Sequence, residues 1–419
     1  MTPDKIPNLC VALEIGSSHT SVLVAQRSST ETTSHILGYA RVEHTAMRKG
    51  TIVNFEALVT SIQDVVDEAE RQTGLQLNQV RLGVNSCDVS FDNCTHTLLL
   101  KNGEVRELDV ERLHALSKTE RPPNGFDFIH ILPTQFLLDG KAGIVSPIGM
   151  CGNQLASVYH RVAFPQPEIR NLIKASNQAG LHVESIVFEA LSAAEATLDS
   201  DEKDLGVACI SIGSHITNIA IYRSGYPIFC KGYPFGSNHI TKDLAIGLRT
   251  TQVEAERIKR EHGQALYALL GSHDAVRITE MSGRPTREVM RGEVWQIIEP
   301  RVCEIFETIF ADLSRHSLVE ELEKGIVLTG GGALLPGLCL AAEKTFGRQT
   351  RTGIPESTSG LVDGLKSPSA SPLVGILEPL FGTPEEKATV FNRIGAMSSR
   401  GGIATFAQEI WAKVLEPFE

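Results

Sequence analysis

The sequence predicts an α/β protein made of two related domains that face each other. Three observations carry that expectation. Residues 9–25 and 206–222 both read strand, glycine turn, strand, a weak internal repeat about 200 residues apart. A third glycine turn, Gly330-Gly331-Gly332, follows the apolar strand Gly325–Thr329 and precedes a helix. Between them, short β-prone runs alternate with stretches whose apolar residues recur at helical spacing.

In chain order, Leu9–Ile15 and Ser21–Ala25 form a hairpin around Gly16-Ser17-Ser18-His19. Phe55, Leu58, Val59, Ile62, Val65, Val66 and Ala69 mark an amphipathic helix, and Val80–Val84 returns to strand. Residues 85–164 mix short strands, a polar helix (Val110 to Lys118) and Pro/Gly breaks, the pattern of a small α+β insertion. A helix from Pro167, the strand Val183–Val187 and the small-residue helix Ala190–Leu198 complete the first domain. Asp199–Asp204, polar at every position, reads as a crossing between domains. The second domain continues with strands at 206–222 and 227–230 and helices at 237–249 and 252–262. A charged segment then leads to a long helix over 292–317. The division so predicted is 8–84 plus 165–198, with 85–164 inserted, and 199–235 plus 300–382, with 236–299 as an upper subdomain. A linker (383–402) and a terminal helix (403–419) follow.

Composition excludes several classes. With 419 residues, 42% hydrophobic and 21% charged, the chain can bury substantial cores without disulfide or metal staples. A formal net charge of −11 argues against nucleic acid as a partner, since phosphate binding needs a basic surface. The eight cysteines include no CxxC pair; Cys94 and His96 are near neighbours, but no second ligand pair follows, so no zinc site is expected. No signal peptide and no apolar run of transmembrane length is seen, so a cytoplasmic protein is expected.

The glycine turns are where chemistry is expected. Backbone N–H groups in such turns surround phosphate oxygens, and glycine lets the backbone approach them. Glu14-Ile15-Gly16-Ser17-Ser18 resembles the first phosphate motif of the actin, sugar-kinase and heat-shock-chaperone ATPase superfamily. Residues 207–222 occupy the place of its second phosphate motif, and Gly325–Gly337 is similar to its adenosine motif. Within the superfamily the match is to the FtsA cell-division family. It is carried by Leu13-Glu14-Ile15-Gly16, His130–Phe136, and Gly283-Arg284-Pro285-Thr286-Arg287 followed by Ile298-Glu299-Pro300-Arg301, and it spans residues 9–380.

The resemblance implies an actin-like fold, two ribonuclease-H-like domains around a nucleotide cleft, with ATP and Mg²⁺ as ligands. Glu14 would hold Mg²⁺ through water. Gly16, Ser17, Ser18, His19, Gly213, Ser214, His215 and Gly236 would face the phosphates, and Glu256, Lys259, Gly330, Gly331 and Gly332 the adenosine. The second motif departs from the family pattern: it reads Ser211-Ile212-Gly213-Ser214-His215-Ile216, with no acid and fewer glycines. ATP binding without effective hydrolysis is therefore expected, so the chain is not read as an enzyme. Glu189 is a weak candidate base, and His215 is read as a solvated turn residue.

The family also implies head-to-tail self-assembly, binding of the tubulin-like FtsZ through its C-terminal tail, and recruitment of other divisome proteins. The place implied is the cytoplasmic face of the inner membrane at the division site. Arg284, Arg287, Trp295 and Arg301 are the candidate FtsZ contacts. Ile403, Phe406, Ile410, Trp411, Val414, Leu415 and Phe418 lie at helical spacing and form the candidate membrane face, a helix lying in the headgroup plane. Two alternatives stay open: an adaptor like the pilus-assembly protein PilM, and a small-molecule kinase of the same superfamily.

Overall fold

The computed structural model describes residues 8–27, 34–144, 146–267, 274–279, 287–356, 358–359 and 363–378. The chain opens with strands β1 (Leu9–Ile15), β2 (His19–Arg27) and β3 (Ser34–Glu43). A short ribbon, β4 (Met47–Arg48) and β5 (Thr51–Ile52), leads to helix α1 (Phe55–Thr73) and strand β6 (Gln79–Val84). The α1 sequence sets its own limits. Asn54 Oδ1 accepts the Ala57 N–H at the start, and Gly74 ends the helix at φ +69°. Its apolar stripe, Leu58, Ile62, Val65, Val66 and Ala69, is buried on the sheet.

The insertion comes next: β7 (Ser90–Leu99), α2 (Glu107–Ser117), β8 (Phe126–Leu138), β9 (Lys141–Ile144) and β10 (Gln154–Pro165). It forms a separate four-stranded sheet in the order β7-β10-β8-β9. The first lobe then resumes with α3 (Gln166–Gln178), β11 (His182–Phe188) and α4 (Glu189–Thr197). The polar run read as a crossing between domains forms a short helix, α5 (Ser200–Leu205). Its ends are the reason: Asp199 and Glu202 form a reciprocal capping box at the start, so polar composition here encodes a cap.

The second lobe holds β12 (Val207–Ile212), β13 (Thr217–Arg223), β14 (Tyr226–Tyr233), α6 (Ser237–Gly247) and α7 (Gln252–His262). The charged segment before the long helix contains a strand pair, β15 (Ala275–Ile278) and β16 (Arg287–Met290), absent from the sequence reading. Then come α8 (Arg291–Arg315), β17 (Ile326–Thr329), a 3₁₀ turn over Gly331–Leu334, α9 (Leu338–Phe346), β18 (Thr350–Thr352), β19 (Thr358–Ser359) and α10 (Ser371–Leu377).

The two lobes share one topology. The first sheet runs β11-β6-β1-β2-β3 with β19 added at its edge, and the second runs β18-β17-β12-β13-β14. In both, a three-strand antiparallel meander is followed by two parallel strands on the other side of its first strand. Each sheet has its own core cluster. The first gathers Leu13, Val22, Leu58 and Leu82, the second Ile210, Ile219, Val302 and Leu328. The insertion also reaches the second lobe: Asn93 Nδ2 donates to the Ile228 carbonyl (3.1 Å), and the Phe91 and Phe229 rings meet edge-on at 4.8 Å.

Candidate nucleotide site

The repeated hairpins coincide in detail. In the first, Ile15 pairs with Thr20 and the Gly16 N–H donates to the His19 carbonyl at 2.9 Å. In the second, Ile212 pairs with Thr217 and the Gly213 N–H donates to the Ile216 carbonyl, also at 2.9 Å. Glu14 and Ser211 therefore occupy equivalent places, each two residues before the turn glycine. Close approach is what requires Gly213: a Cβ there would lie 2.8 Å from the Ile216 oxygen. Gly236 serves the same turn from outside, since a Cβ on it would lie 2.5 Å from the Gly213 oxygen. The start of α6 thus seats on the turn, with Ser237 N–H donating to Gly213 O (2.9 Å) and Asn238 N–H to Ser214 O (2.8 Å). These hydrogen bonds occupy helix amides that would otherwise be unpaired.

The polar groups around the turns are unevenly charged. Glu14 and Glu189 are both buried. Burial, and then the charge of Glu14, lifts the Glu189 carboxyl well above the usual range, opposed by Asn85, whose Nδ2 donates to Glu189 Oε2 at 2.6 Å. That shift favours the protonated form, which cannot act as a base. His19 Nε2 stands 3.9 Å from Glu14 Oε1. His215 is half-buried rather than solvated, because Asn238 from α6 covers it and donates Nδ2 to its Nε2 (3.0 Å). Burial, then the positive charges of Lys242, His239, Arg48 and Lys49, lowers its pKa to about 4. The ring is neutral, and with Nε2 accepting, its proton sits on Nδ1.

Several buried polar atoms here have no hydrogen-bond partner among the described residues, among them His19 Nε2, His215 Nδ1, Asn218 Oδ1 and Glu189 Oε1. Buried polar atoms are ordinarily paired. A ligand carrying both anionic oxygens and a hydrated cation would satisfy the histidine donors and the carboxylate acceptor together, so the residues fit Mg-ATP.

Lys259, expected from the sequence to face adenosine, is buried and gathered into a network. Its Nζ lies 2.7 Å from Glu256 Oε2, 2.9 Å from Thr241 Oγ1 and 3.3 Å from the Ser237 carbonyl. The pair therefore joins α6 to α7 and is no ordinary surface ion pair. Gly330 (φ +79°) and Gly332 press against Ile212, whereas a Cβ on Gly331 would meet nothing nearer than Ser369 Cβ at 3.9 Å. Gly331 is exposed on open space. Behind these glycines lies an apolar cavity lined by Ile212, Ile240, Val302, Phe306 and Leu338.

The candidate partner residues separate. Trp295 is 3% exposed and donates Nε1–H to the His262 carbonyl at 2.8 Å, so it packs the core and presents no aromatic surface. This corrects its assignment as a partner contact; the first turn of α8 is covered by the end of α7. Arg301 is paired with Asp243 and Glu304, and Arg287 donates Nη2–H to the Leu248 carbonyl at 2.9 Å. Arg284 and the helix expected over 403–419 lie outside the described residues. Arg48, Lys49, Asn85, Asn218, Asn238 and Thr241 went unrecognised in the sequence. Only Arg48-Lys49-Gly50 carried a signal, a basic turn with φ +51° at Lys49 and +81° at Gly50.

Comparison with known proteins decides the family. Residues 208–375 match the family model "Cell division protein FtsA", and residues 88–163 match "SHS2 domain inserted in FTSA". The FtsA of Pseudomonas aeruginosa is 31% identical over 369 residues, covering 88% of both chains. The chain belongs to the FtsA family. FtsA of Escherichia coli K12 is 30% identical over 376 residues (88% of this chain, 89% of that one), and FtsA of Bacillus subtilis 31% over 372 residues (88% and 83%). Solved structures show the fold. The PilM-PilN type IV pilus biogenesis complex matches with a TM-score of 0.61 at 16% identity, covering 88% of this chain and 97% of that one. MreB5 of Spiroplasma citri bound to ADP matches at 0.54 and 15%, covering 89% and 95%. The fold is actin-like, as the sequence predicted, and the chain carries the family's inserted domain.

Proposed function

We propose that this member of the FtsA family binds Mg-ATP between its repeated hairpins, assembles head to tail, and ties FtsZ filaments to the cytoplasmic membrane, where it recruits later division proteins. The observation that supports the nucleotide reading is the convergence of unpaired buried atoms on two matched glycine turns, beside two buried carboxylates. Glu14, with Glu189 behind it, would hold the magnesium. The cation supplies charge neutralisation at the phosphates, and Mg²⁺ keeps most of its waters while using few carboxylates. His19 and His215 would donate to phosphate oxygens. Gly330–Gly332 and the Lys259–Glu256 network would bound the adenosine.

Turnover is expected to be slow or absent. Hydrolysis needs an oriented water and a well-placed metal. Ser211 stands where the repeat would put a second acid, and Glu189 is held toward its neutral form. The tether is assigned to residues 403–419 on their apolar periodicity, and the FtsZ contact to the Arg284–Arg287 segment. Co-sedimentation of the full chain with liposomes, with and without FtsZ, tests the adaptor. FtsZ should pellet with vesicles only when this protein is present; FtsZ remaining in the supernatant would refute the tethering role.

A further inference from the structure

We propose that Cys94, His96 and Glu120 of the inserted domain form a binding site for a thiophilic divalent cation, Zn²⁺ being the best fit. One donor atom from each, Cys94 Sγ, His96 Nε2 and a Glu120 carboxylate oxygen, lies within 4.8 Å of the other two. The sequence shows only a Cys-x-His pair; the third ligand arrives through the fold. Cys94 and His96 alternate along β7 and so project to one face of the sheet. Helix α2 packs on that strand, and Glu120 follows its end.

The separations lie close to what the metal needs, and a small side-chain shift of Glu120 would complete the set. Zinc bonds of roughly 2.0 Å to nitrogen or oxygen and 2.3 Å to sulfur place tetrahedral donors about 3.3–3.7 Å apart. Cys94 Sγ stands 3.5 Å from His96 Nε2, and His96 Nε2 stands 3.8 Å from Glu120 Oε1. The surroundings hold these donors in place. Arg161, itself buried, grips Asp92 with two hydrogen bonds (2.7 and 2.6 Å) and donates Nη1–H to Glu120 Oε2 at 2.5 Å. Glu120 Oε1 is thereby turned toward His96 and Cys94, an outer-shell arrangement of the kind that orients metal carboxylates. Tyr159 pairs with Cys94 across the strands and sets its ring 5.7 Å from that of His96, closing the apolar side. On binding, the Cys94 thiol gives its proton to solvent as the sulfur–zinc bond forms. Thiolate, Glu120 and Asp92 then balance Zn²⁺ and Arg161, leaving no net charge. The fourth position falls to water, since Glu120 is exposed.

The test is titration of the full-length protein with Zn²⁺ by calorimetry and with Co²⁺ by absorption. The expected result is one ion per chain and, with Co²⁺, a thiolate-to-metal charge-transfer band. Cys94→Ser should abolish that band, and His96→Gln and Glu120→Gln should each lose the one-to-one binding while the far-ultraviolet circular dichroism stays unchanged. Should Cys94→Ser fail to fold, His96→Gln decides alone. Absence of stoichiometric Zn²⁺ binding, or binding that survives Cys94→Ser combined with His96→Gln, overturns the proposal, because the seven other cysteines or the Glu14 site would then account for the metal.

Discussion

Two neighbouring glycines allow ligand binding and folding to be perturbed separately. Gly331 opens onto free space, with only Ser369 Cβ at 3.9 Å from a built Cβ, whereas at Gly332 the same carbon would lie 2.4 Å from Ile212 Cγ2 and 3.0 Å from the Ile212 carbonyl oxygen. Neither has a left-handed φ, so backbone conformation does not forbid a side chain at either position. Gly332→Ala should act on the fold, costing about 1–3 kcal/mol as overpacked substitutions do. Gly331→Trp should leave the melting temperature of the second lobe unchanged and fill the space assigned to adenosine. If the ring excludes the nucleotide, affinity falls at least 100-fold, about 2.8 kcal/mol at 1.4 per decade. The assay pairs equilibrium binding of a fluorescent ATP analogue with calorimetric melting of the two variants and the parent. A Gly331→Trp protein that melts normally and binds ATP with parental affinity would place the nucleotide elsewhere and refute the reading of the third glycine turn.

Other expectations follow from the same reading. Glu189 binds its proton more tightly folded than unfolded, so it costs no stability below the ordinary carboxyl value of 4.5 and an increasing amount as pH rises through its lifted value. Glu189→Gln should therefore raise the melting temperature of the nucleotide-free protein at pH 7–8 and not at pH 4; a gain of equal size at both would reject the linkage. The same variant should leave ATP turnover slow, and a kinase-like rate in the parent that Glu189→Gln abolishes would restore the enzyme reading. Deleting residues 403–419 should give a folded protein that no longer floats with vesicles, and Phe406→Glu with Trp411→Glu should do likewise, each removing apolar burial of roughly 2 kcal/mol or more. Flotation of the truncated chain would move the tether. Reversing charge at Arg284 and Arg287 should abolish capture of an FtsZ C-terminal peptide, and unchanged capture by the folded double variant would place the contact elsewhere.

The repeated hairpins were legible in the sequence because their determinants are local. A glycine at the turn and apolar runs on each side specify the strand pair, and Gly16 and Gly213 ended in the same hydrogen-bonded geometry. The strand pair β15–β16 was hidden for the opposite reason. Each strand is four residues long and alternates buried apolar residues, Val276, Ile278 and Val289, with charged neighbours, so composition over a longer window looks merely charged. Trp295 was misplaced because helical periodicity identifies a buried stripe but not what covers its margin; the end of α7, distant in sequence, makes that decision. Arg48, Lys49 and Asn238 reach the second turn only through tertiary structure, and no spacing rule connects residue 48 to residue 215.

The lobes share a backbone and differ in charge, and that difference bears on how they would close. Glu14 in the first lobe has Ser211 as its counterpart in the second, so the acidic pair Glu14 and Glu189 stands on one side only. The second turn instead lies among Lys242 and His239 of its own lobe and Arg48 and Lys49 of the other. The ribbon that carries these two comes close to the turn, a Cβ on Gly50 falling 3.1 Å from Ile216 Cδ1. Both halves of the site are electrostatically strained when no ligand is present: Glu189 is held toward its neutral form beside Glu14 on one side, and Lys242, Arg48 and Lys49 gather near the turn on the other. A cation alone would relieve the first and a phosphate alone the second. On the proposed reading only the metal–nucleotide pair neutralises both, which ties closure of the lobes to binding of the complete ligand and leaves hydrolysis, for which Ser211 supplies no acid, unnecessary to the structural change.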